Sequence, residues 1–381
     1  MADDDSGTEN TAGRPDDRIR GAGRRHKRVP ARNRSLVISA WVAAALVFLG
    51  GSGFGYLWFK LNGNLRGINL DAALGRDRPR DVDNGSMDIL ILGSDTRAGE
   101  NRKYGRASGA RSDTAMILHV FKGHRKAALV SIPRDTIVER PACDRTEGGT
   151  APAAERTMFN ESYRIGGPAC TVKTVEALSG IRMDHYIEVD FTGFKKLVDE
   201  LGGVNIETKE RIKDRESHLD LEPGRHNLRG EQALGLVRTR HAVGDGSDLG
   251  RIQLQQAFVK ALIRRVDDID LFGNPAKLYS LADTATRSVT TDSDLASVQD
   301  LVGLVRSLRG VKSSDIDAVT MPVIYDPDDA NRVVPLEKRA DRLWKALRDD
   351  RPVPESTTKG SAAAEADVSD VVGKRSPGAS E

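Results

Sequence analysis

Apolar residues are spread unevenly along the chain, and their spacing changes character several times. Residues 35–59, SLVISAWVAAALVFLGGSGFGYLWF, contain no charged side chain. As a helix at ~1.5 Å per residue this run would be roughly 37 Å long, enough to cross a hydrocarbon layer of about 30 Å with some tilt. Trp41 near one end and Tyr56 and Trp58 near the other suit an interfacial aromatic belt. A cleaved signal peptide would be shorter and followed closely by a small-x-small site, so a retained transmembrane helix is predicted. Further on, residues 87–92, 115–120 and 127–132 are short Ile, Leu and Val-rich runs bounded by turn residues, the pattern of strands buried on both faces. Phe191, Phe194, Leu197, Val198 and Leu201 recur at helical spacing and end at Gly202-Gly203, and a second helix is predicted over residues 249–266. Asp292 or Ser293 is expected to cap a helix whose apolar face is Leu295, Val298, Val302 and Val305. A strand over 318–323 and a helix over 335–347 complete the pattern. Alternating buried strands and amphipathic helices predict a layered α/β fold, with helices against a central, largely parallel or mixed sheet.

Polar composition sets the boundaries. Residues 1–34 hold almost no apolar residues and read as a disordered tail. Eight Lys or Arg fall in residues 18–34 against three in residues 60–76, which places the tail in the cytoplasm and everything after the span outside. Residues 60–85 read as a stalk, 86–350 as the catalytic domain and 351–381 as a disordered C-terminal tail. The whole chain has 58 basic and 56 acidic residues, net +2, and 5% aromatic residues. That balance argues against a dedicated nucleic-acid binder, which needs a clustered basic excess or stacking platforms.

Charge gathers at the ends of the three buried runs. Asp95 follows the first, Arg111 and Asp113 precede the second, and Arg134 and Asp135 follow the third. One such residue is an ordinary turn or surface pair; three strand ends in 50 residues carrying both signs would be satisfied together by a phosphate and a divalent cation. Arg238 and Arg240 share a side only if the preceding helix ends before them, since two helical positions apart they diverge. Arg251 and Gln255, four apart, project from one helical face.

These residues also carry a resemblance. Gly93-Ser94-Asp95-Thr96-Arg97, Arg111-Ser112-Asp113-Thr114, Ser131-Ile132-Pro133-Arg134-Asp135, Leu201-Gly202-Gly203-Val204, Val237-Arg238-Thr239-Arg240 and Asp248-Leu249-Gly250-Arg251 with Gln255 follow one another as in the LytR-CpsA-Psr (LCP) family of bacterial cell-wall enzymes. The resemblance covers roughly residues 86–270. It implies an LCP-type domain that moves a phosphoglycosyl polymer from a polyprenyl (undecaprenyl) pyrophosphate to the primary hydroxyl of N-acetylmuramic acid in peptidoglycan, beside the membrane lipid. It further implies that Arg111, Arg134, Arg238, Arg240, Arg251 and Gln255 bind pyrophosphate. Asp95 and Asp113 would hold Mg²⁺ or Mn²⁺, and Asp95, Arg111, Arg134, Asp135 and Arg240 would carry catalysis, with either Asp95 or Asp135 as base. Phe191, Phe194 and Leu197 are candidates to line a prenyl slot. The alternatives are a non-catalytic polyprenyl-pyrophosphate sensor and a pyrophosphatase. No His-Glu-x-x-His, Walker or Gly-x-Ser-x-Gly pattern occurs.

The only two cysteines, Cys143 and Cys170, lie in the part predicted to be exported, where a pair is read as a disulfide. It would close a loop of about 27 residues and contribute roughly 3 kcal/mol on the chain-entropy account.

Overall fold

The computed structural model describes Ser39, Ser52 and residues 55–75, 78–82, 84–95, 112–240, 248–269, 273–365 and 372. The predicted tail 1–34 and most of the predicted span 35–59 lie outside them, and among the described residues no helix is long and apolar enough to cross a membrane.

From Leu57 onward the chain is one unit, built on seven strands. In chain order these are β1 (Arg66–Ile68), β2 (Met87–Ser94), β3 (Ser112–Val120), β4 (Ala127–Ile132), β5 (His185–Asp190), β6 (Val289–Asp292) and β7 (Ile316–Thr320). Their spatial order is β1-β6-β5-β2-β3-β4-β7. The sheet is mixed: β1–β6, β5–β2 and β4–β7 run parallel, whereas β6–β5, β2–β3 and β3–β4 run antiparallel. The three apolar runs read from the sequence form its centre, and every residue of β4 is buried. One face packs on α1 (Leu70–Leu74), α2 (Phe159–Ser179) and the helix Glu337–Arg348. The other packs on α5 (Asp248–Asp268) and α7 (Val298–Leu308), and a second core joins α3 (Phe191–Glu200), α4 (Gly230–Arg238), α5 and the hairpin of Val204–Thr208 with Gly224–Leu228, with α6 (Pro275–Ser288) against α3.

Three expectations need correction. Residues 60–85 are not a free stalk: β1 joins the sheet edge beside β6, and Leu70 and Leu74, one helical turn apart, are buried. The polar residues of this stretch are anchors, with Asn64 Nδ2 donating to Asp283 at 3.2 Å and Val298 N donating to Asn62 Oδ1 at 2.9 Å. The tail likewise begins later than residue 351, because Thr357, Ser361, Ala362 and Ala363 are buried and Gln253 Nε2 donates to Ala363 O at 2.7 Å. Small side chains let this stretch pack closely, although its composition reads as disorder. The helix expected after Asp292 is split. Asp292 caps a 3-10 turn, and Ser297 caps α7 by accepting from Asp300 N. This turns Leu301, Leu304 and Leu308 onto the sheet and leaves Val302 and Val305 exposed.

Cys143 and Cys170 are bonded, with Cα atoms 5.4 Å apart. The bridge ties the Cys143–Asp144 strand to α2 at a kink where Gly166 and Gly167 leave helical geometry. A Cβ on Gly166 would collide with Asp144 O and with the Cys170 side chain, so only glycine lets helix and strand approach closely enough.

Candidate functional site

The site lies at one end of the central strands. Asp95 follows β2 directly and is 4% exposed. Across the β2–β3 ladder Gly93 opposes Thr114 and Ser94 opposes Ser112, so Asp113 is the extra residue of a bulge. A bulge re-aims a side chain that regular pleating would direct elsewhere. Asp113 thereby shares a cavity of about 250 Å³ with Asp95.

The turn after β4 brings in Arg134. Its backbone is pinned by Thr136 N to Pro133 O at 3.0 Å and by the start of α2, where Asn160 N donates to Arg134 O at 3.1 Å. Arg134 Nη1 donates to Asp113 Oδ1 at 2.5 Å. Arg251, on the first turns of α5 and 2% exposed, donates from Nη2 to Asp113 O at 3.0 Å.

Helix α4 does not end before both arginines: Arg238 is its last residue, and the chain leaves helical geometry only at Thr239, extended at φ −60°, ψ 133°, ahead of Arg240. Thr239 Oγ1 donates back to Gly235 O, and Arg240 N donates to Asp214 Oδ2 at 3.0 Å, which holds the strand-like exit. Both arginines line the cavity, and the Arg238 guanidinium lies 5.0 Å from the Phe191 ring centroid. Gln255 also lines it, but its amide donates to Val237 O at 3.0 Å, so this side chain holds the Arg238 segment to α5.

Electrostatics follow from the crowding. Burial alone would push the Asp113 carboxyl up, but Arg251, Arg134 and Arg240 outweigh it and hold Asp113 below the usual carboxylate range. Burial lowers Arg251, Asp248 partly restores it, and repulsion from Arg240 and Arg134 leaves it at about 10. The carboxylates of Asp248, Asp113 and Asp135 raise Arg134 against the opposing effect of its burial.

Thus Asp95, Asp113, Arg134, Arg238, Arg240, Arg251 and Gln255 converge on one cavity, while Arg111 lies outside the described residues. Asp135 faces a neighbouring cavity on the other side of Arg134. Of the predicted prenyl-slot residues Phe191 lines the main cavity, whereas Phe194 packs on Phe258 in the second core. Sequence reading passed over two participants. Asp248 Oδ1 is a hub within 2.5 Å of Arg251, 3.5 Å of Arg134 and 3.8 Å of Arg240. Its signal was the three-residue spacing to Arg251 at a helix start. Arg332, 3.9 Å from Asp135, comes from a distant hairpin and had no local signal.

As donors for a hard cation, Asp95 and Asp113 are a sparse but fitting pair: Mg²⁺ is commonly held by one or two carboxylates together with substrate phosphate oxygens. Among the described residues no group of three His, Cys, Asp or Glu forms a protein-only metal cage.

Planar guanidinium donors from separate elements, ordered by buried carboxylates at a sheet end, line a cavity of an α/β domain, and their geometry suits phosphate oxygens. The LytR_cpsA_psr family profile matches residues 57–349, and the chain belongs to that family. It is 30% identical over 372 residues to the cell wall biosynthesis protein LcpA of Corynebacterium glutamicum, covering 89% of this chain and 70% of LcpA. To the polyisoprenyl-teichoic acid–peptidoglycan teichoic acid transferase TagT of Bacillus subtilis it is 31% identical over 287 residues, covering 72% of this chain and 83% of TagT. Among solved structures, TagT bound to LIIa-WTA superposes with a TM-score of 0.55 at 26% identity, over 74% of this chain and 98% of that one. A LytR-Csp2A-Psr enzyme from Actinomyces oris matches in fold with a TM-score of 0.55 at 24% identity, over 74% of this chain and 96% of that one.

Proposed function

We propose that this protein transfers a phosphoglycosyl polymer from a polyprenyl-pyrophosphate donor to a hydroxyl of peptidoglycan during cell-wall assembly. The observation that carries the reading is the meeting of Arg134, Arg238, Arg240 and Arg251 with Asp95 and Asp113 in one cavity. The named activity of TagT supports it.

Phosphoryl transfer asks for little covalent participation by the protein and much charge stabilisation. Arg238 at the end of α4 and Arg240 beyond the extended Thr239 grip the outer oxygens of the two phosphates. Arg134, held at Asp113, and Arg251, buried behind it, offer donors to the oxygens that gain charge as the leaving phosphate departs. Asp248 spaces the guanidiniums, which would otherwise repel one another. Asp95 and Asp113 would hold Mg²⁺ or Mn²⁺, which when bound neutralises phosphate charge. Residues 35–59 would anchor the chain in the cell membrane with its N-terminus cytoplasmic and residues 60–381 outside, beside both the lipid donor and the wall.

The full chain in lipid nanodiscs, given a lipid-pyrophosphate-linked saccharide, Mg²⁺ and peptidoglycan fragments, is expected to release polyprenyl phosphate and attach the saccharide to the fragment. Donor binding without release would replace this reading with that of a sensor, and release without attachment with that of a pyrophosphatase. Chelation of the divalent ion is expected to suppress transfer, and undiminished transfer in chelator would remove the metal assignment.

A further inference from the structure

Behind Arg134 and Arg240 lies a second cavity of about 320 Å³. The two arginines line both spaces. Its own walls are Asp135, Tyr325, Asn331 and Arg332, with Leu249 and Val333. The wall is fixed in place: the hairpin of Val323–Tyr325 with Val333–Pro335 is joined to the Arg134–Asp135 turn by the Thr136–Val333 bridge and by Val333 N to Asp135 O at 3.4 Å. Its loop is closed by Asp326 N to Arg332 O at 2.9 Å and tied to the neighbouring strand by Arg156 Nη2 to Asp326 Oδ2 at 2.8 Å.

We propose that this second cavity binds the acceptor, an N-acetylated amino-sugar chain with a free primary hydroxyl and a carboxylate, and that Asp135 is the base. The inference rests on the transferase reading. In-line displacement requires the attacking oxygen to enter opposite the leaving group. With pyrophosphate against Arg238, Arg240 and Arg251, the space across Arg134 is the one that meets this need. The Tyr325 ring, 41% exposed, offers an apolar face to a pyranose. The Asn331 side chain offers an amide, and Arg332, with its side chain 30% exposed, offers a cation for a sugar-borne carboxylate. Asp135 stands between Arg134 at 3.4 Å and Arg332 at 3.9 Å, placed to take the proton of the attacking hydroxyl. The acceptor oxygen bonds to the phosphorus that carries the glycan. The bond from that phosphorus to the bridging oxygen breaks, and polyprenyl phosphate leaves with the electron pair. Asp135 then gives its proton to water.

The test uses the full chain in nanodiscs and two probes measured separately: an N-acetylglucosaminyl-N-acetylmuramic acid disaccharide, and inorganic pyrophosphate. Tyr325→Ala and Arg332→Gln are expected to weaken disaccharide binding about fivefold or more while pyrophosphate affinity stays within about twofold. Asp135→Asn is expected to slow transfer roughly 100-fold or more with disaccharide affinity within about threefold. Circular dichroism of each variant checks the fold. Disaccharide binding equal in wild type and variants, or loss of both probes in parallel, overturns the site. If wild type binds the disaccharide through these residues yet never transfers, the site stands and the transferase reading fails.

Discussion

Two clusters of buried charge in this fold invite comparison. Arg78 and Glu176 have side chains only 5% and 2% exposed, and they pair closely. Arg78 Nε lies 3.1 Å from both Glu176 oxygens, Nη2 donates to Glu176 at 2.6 Å and to Met183 O at 2.9 Å, and Nη1 reaches Asp71 at 2.6 Å. In the cavity at the strand ends, Arg240 is 31% exposed and its side-chain ion pair with Asp248 is 3.8 Å long. The first cluster fastens α1 and α2 to the loop before β5. The second is uneven: Arg134 and Arg251 are held at 2.5 Å by Asp113 and Asp248, whereas Arg240, at 3.8 Å from Asp248, is loosely matched on the cavity wall. Tightness of pairing, more than the presence of charge, separates a fastening from a binding site.

The largest way to sharpen the contrast is at the ligand-facing cluster. Arg240→Ala or Arg134→Ala is expected to lower turnover roughly 100-fold or more, with a thermal midpoint close to wild type. Wild-type activity in both would remove them from the chemistry. The opposite result is expected at the closely paired cluster. Glu176→Leu leaves a buried guanidinium unmatched and is expected to destabilise the fold by about 3–5 kcal/mol, read by denaturant unfolding. A loss below about 1 kcal/mol would show that this pair is not the fastening described.

The disulfide is a third kind of link, a covalent one between the Cys143–Asp144 strand and α2. Cys143→Ser with Cys170→Ser is expected to cost roughly 3 kcal/mol of stability with smaller effects on turnover. Loss of turnover without loss of stability would move the bridge from structure to function.

The smallest expected effect concerns pH. His119 is buried, with Nδ1 2.8 Å from Asp88 and Nε2 3.3 Å from Asp350. Burial disfavours its charge, but the two carboxylates outweigh burial and raise its pKa above the ordinary value of 6.5. A raised folded-state pKa gives stability that is complete below the unfolded value and lost as pH rises through the folded one. The thermal midpoint is therefore expected to fall as pH rises above the ordinary imidazole range, and to fall less in His119→Asn. An unchanged slope in that variant would assign the dependence elsewhere, with His185, raised through Asp292 against the effect of burial, the next group to replace.

Much of the site was legible because it is local. Buried runs with charge at their ends announced β2, β3 and β4, whereas the helix expected to end before Arg238 and Arg240 runs through Arg238 and turns out only at Thr239. What was hidden depends on chain partners far apart in sequence. Arg332 reaches Asp135 only because a late hairpin docks on the turn after β4, and Asp248 adds Arg134 and Arg240 to its local partner Arg251 only through the fold. The residues taken for a stalk failed for a similar reason. Their few apolar positions are placed one helical turn apart, and their asparagines find partners more than 200 residues away.

The bulge at Asp113 has a consequence for how this part of the chain tolerates change. The direction of that carboxylate is set inside the β2–β3 ladder, by the skipped pairing between Ser94–Ser112 and Gly93–Thr114. Removing a single residue from within β3 would swing the carboxylate to the opposite side of the sheet.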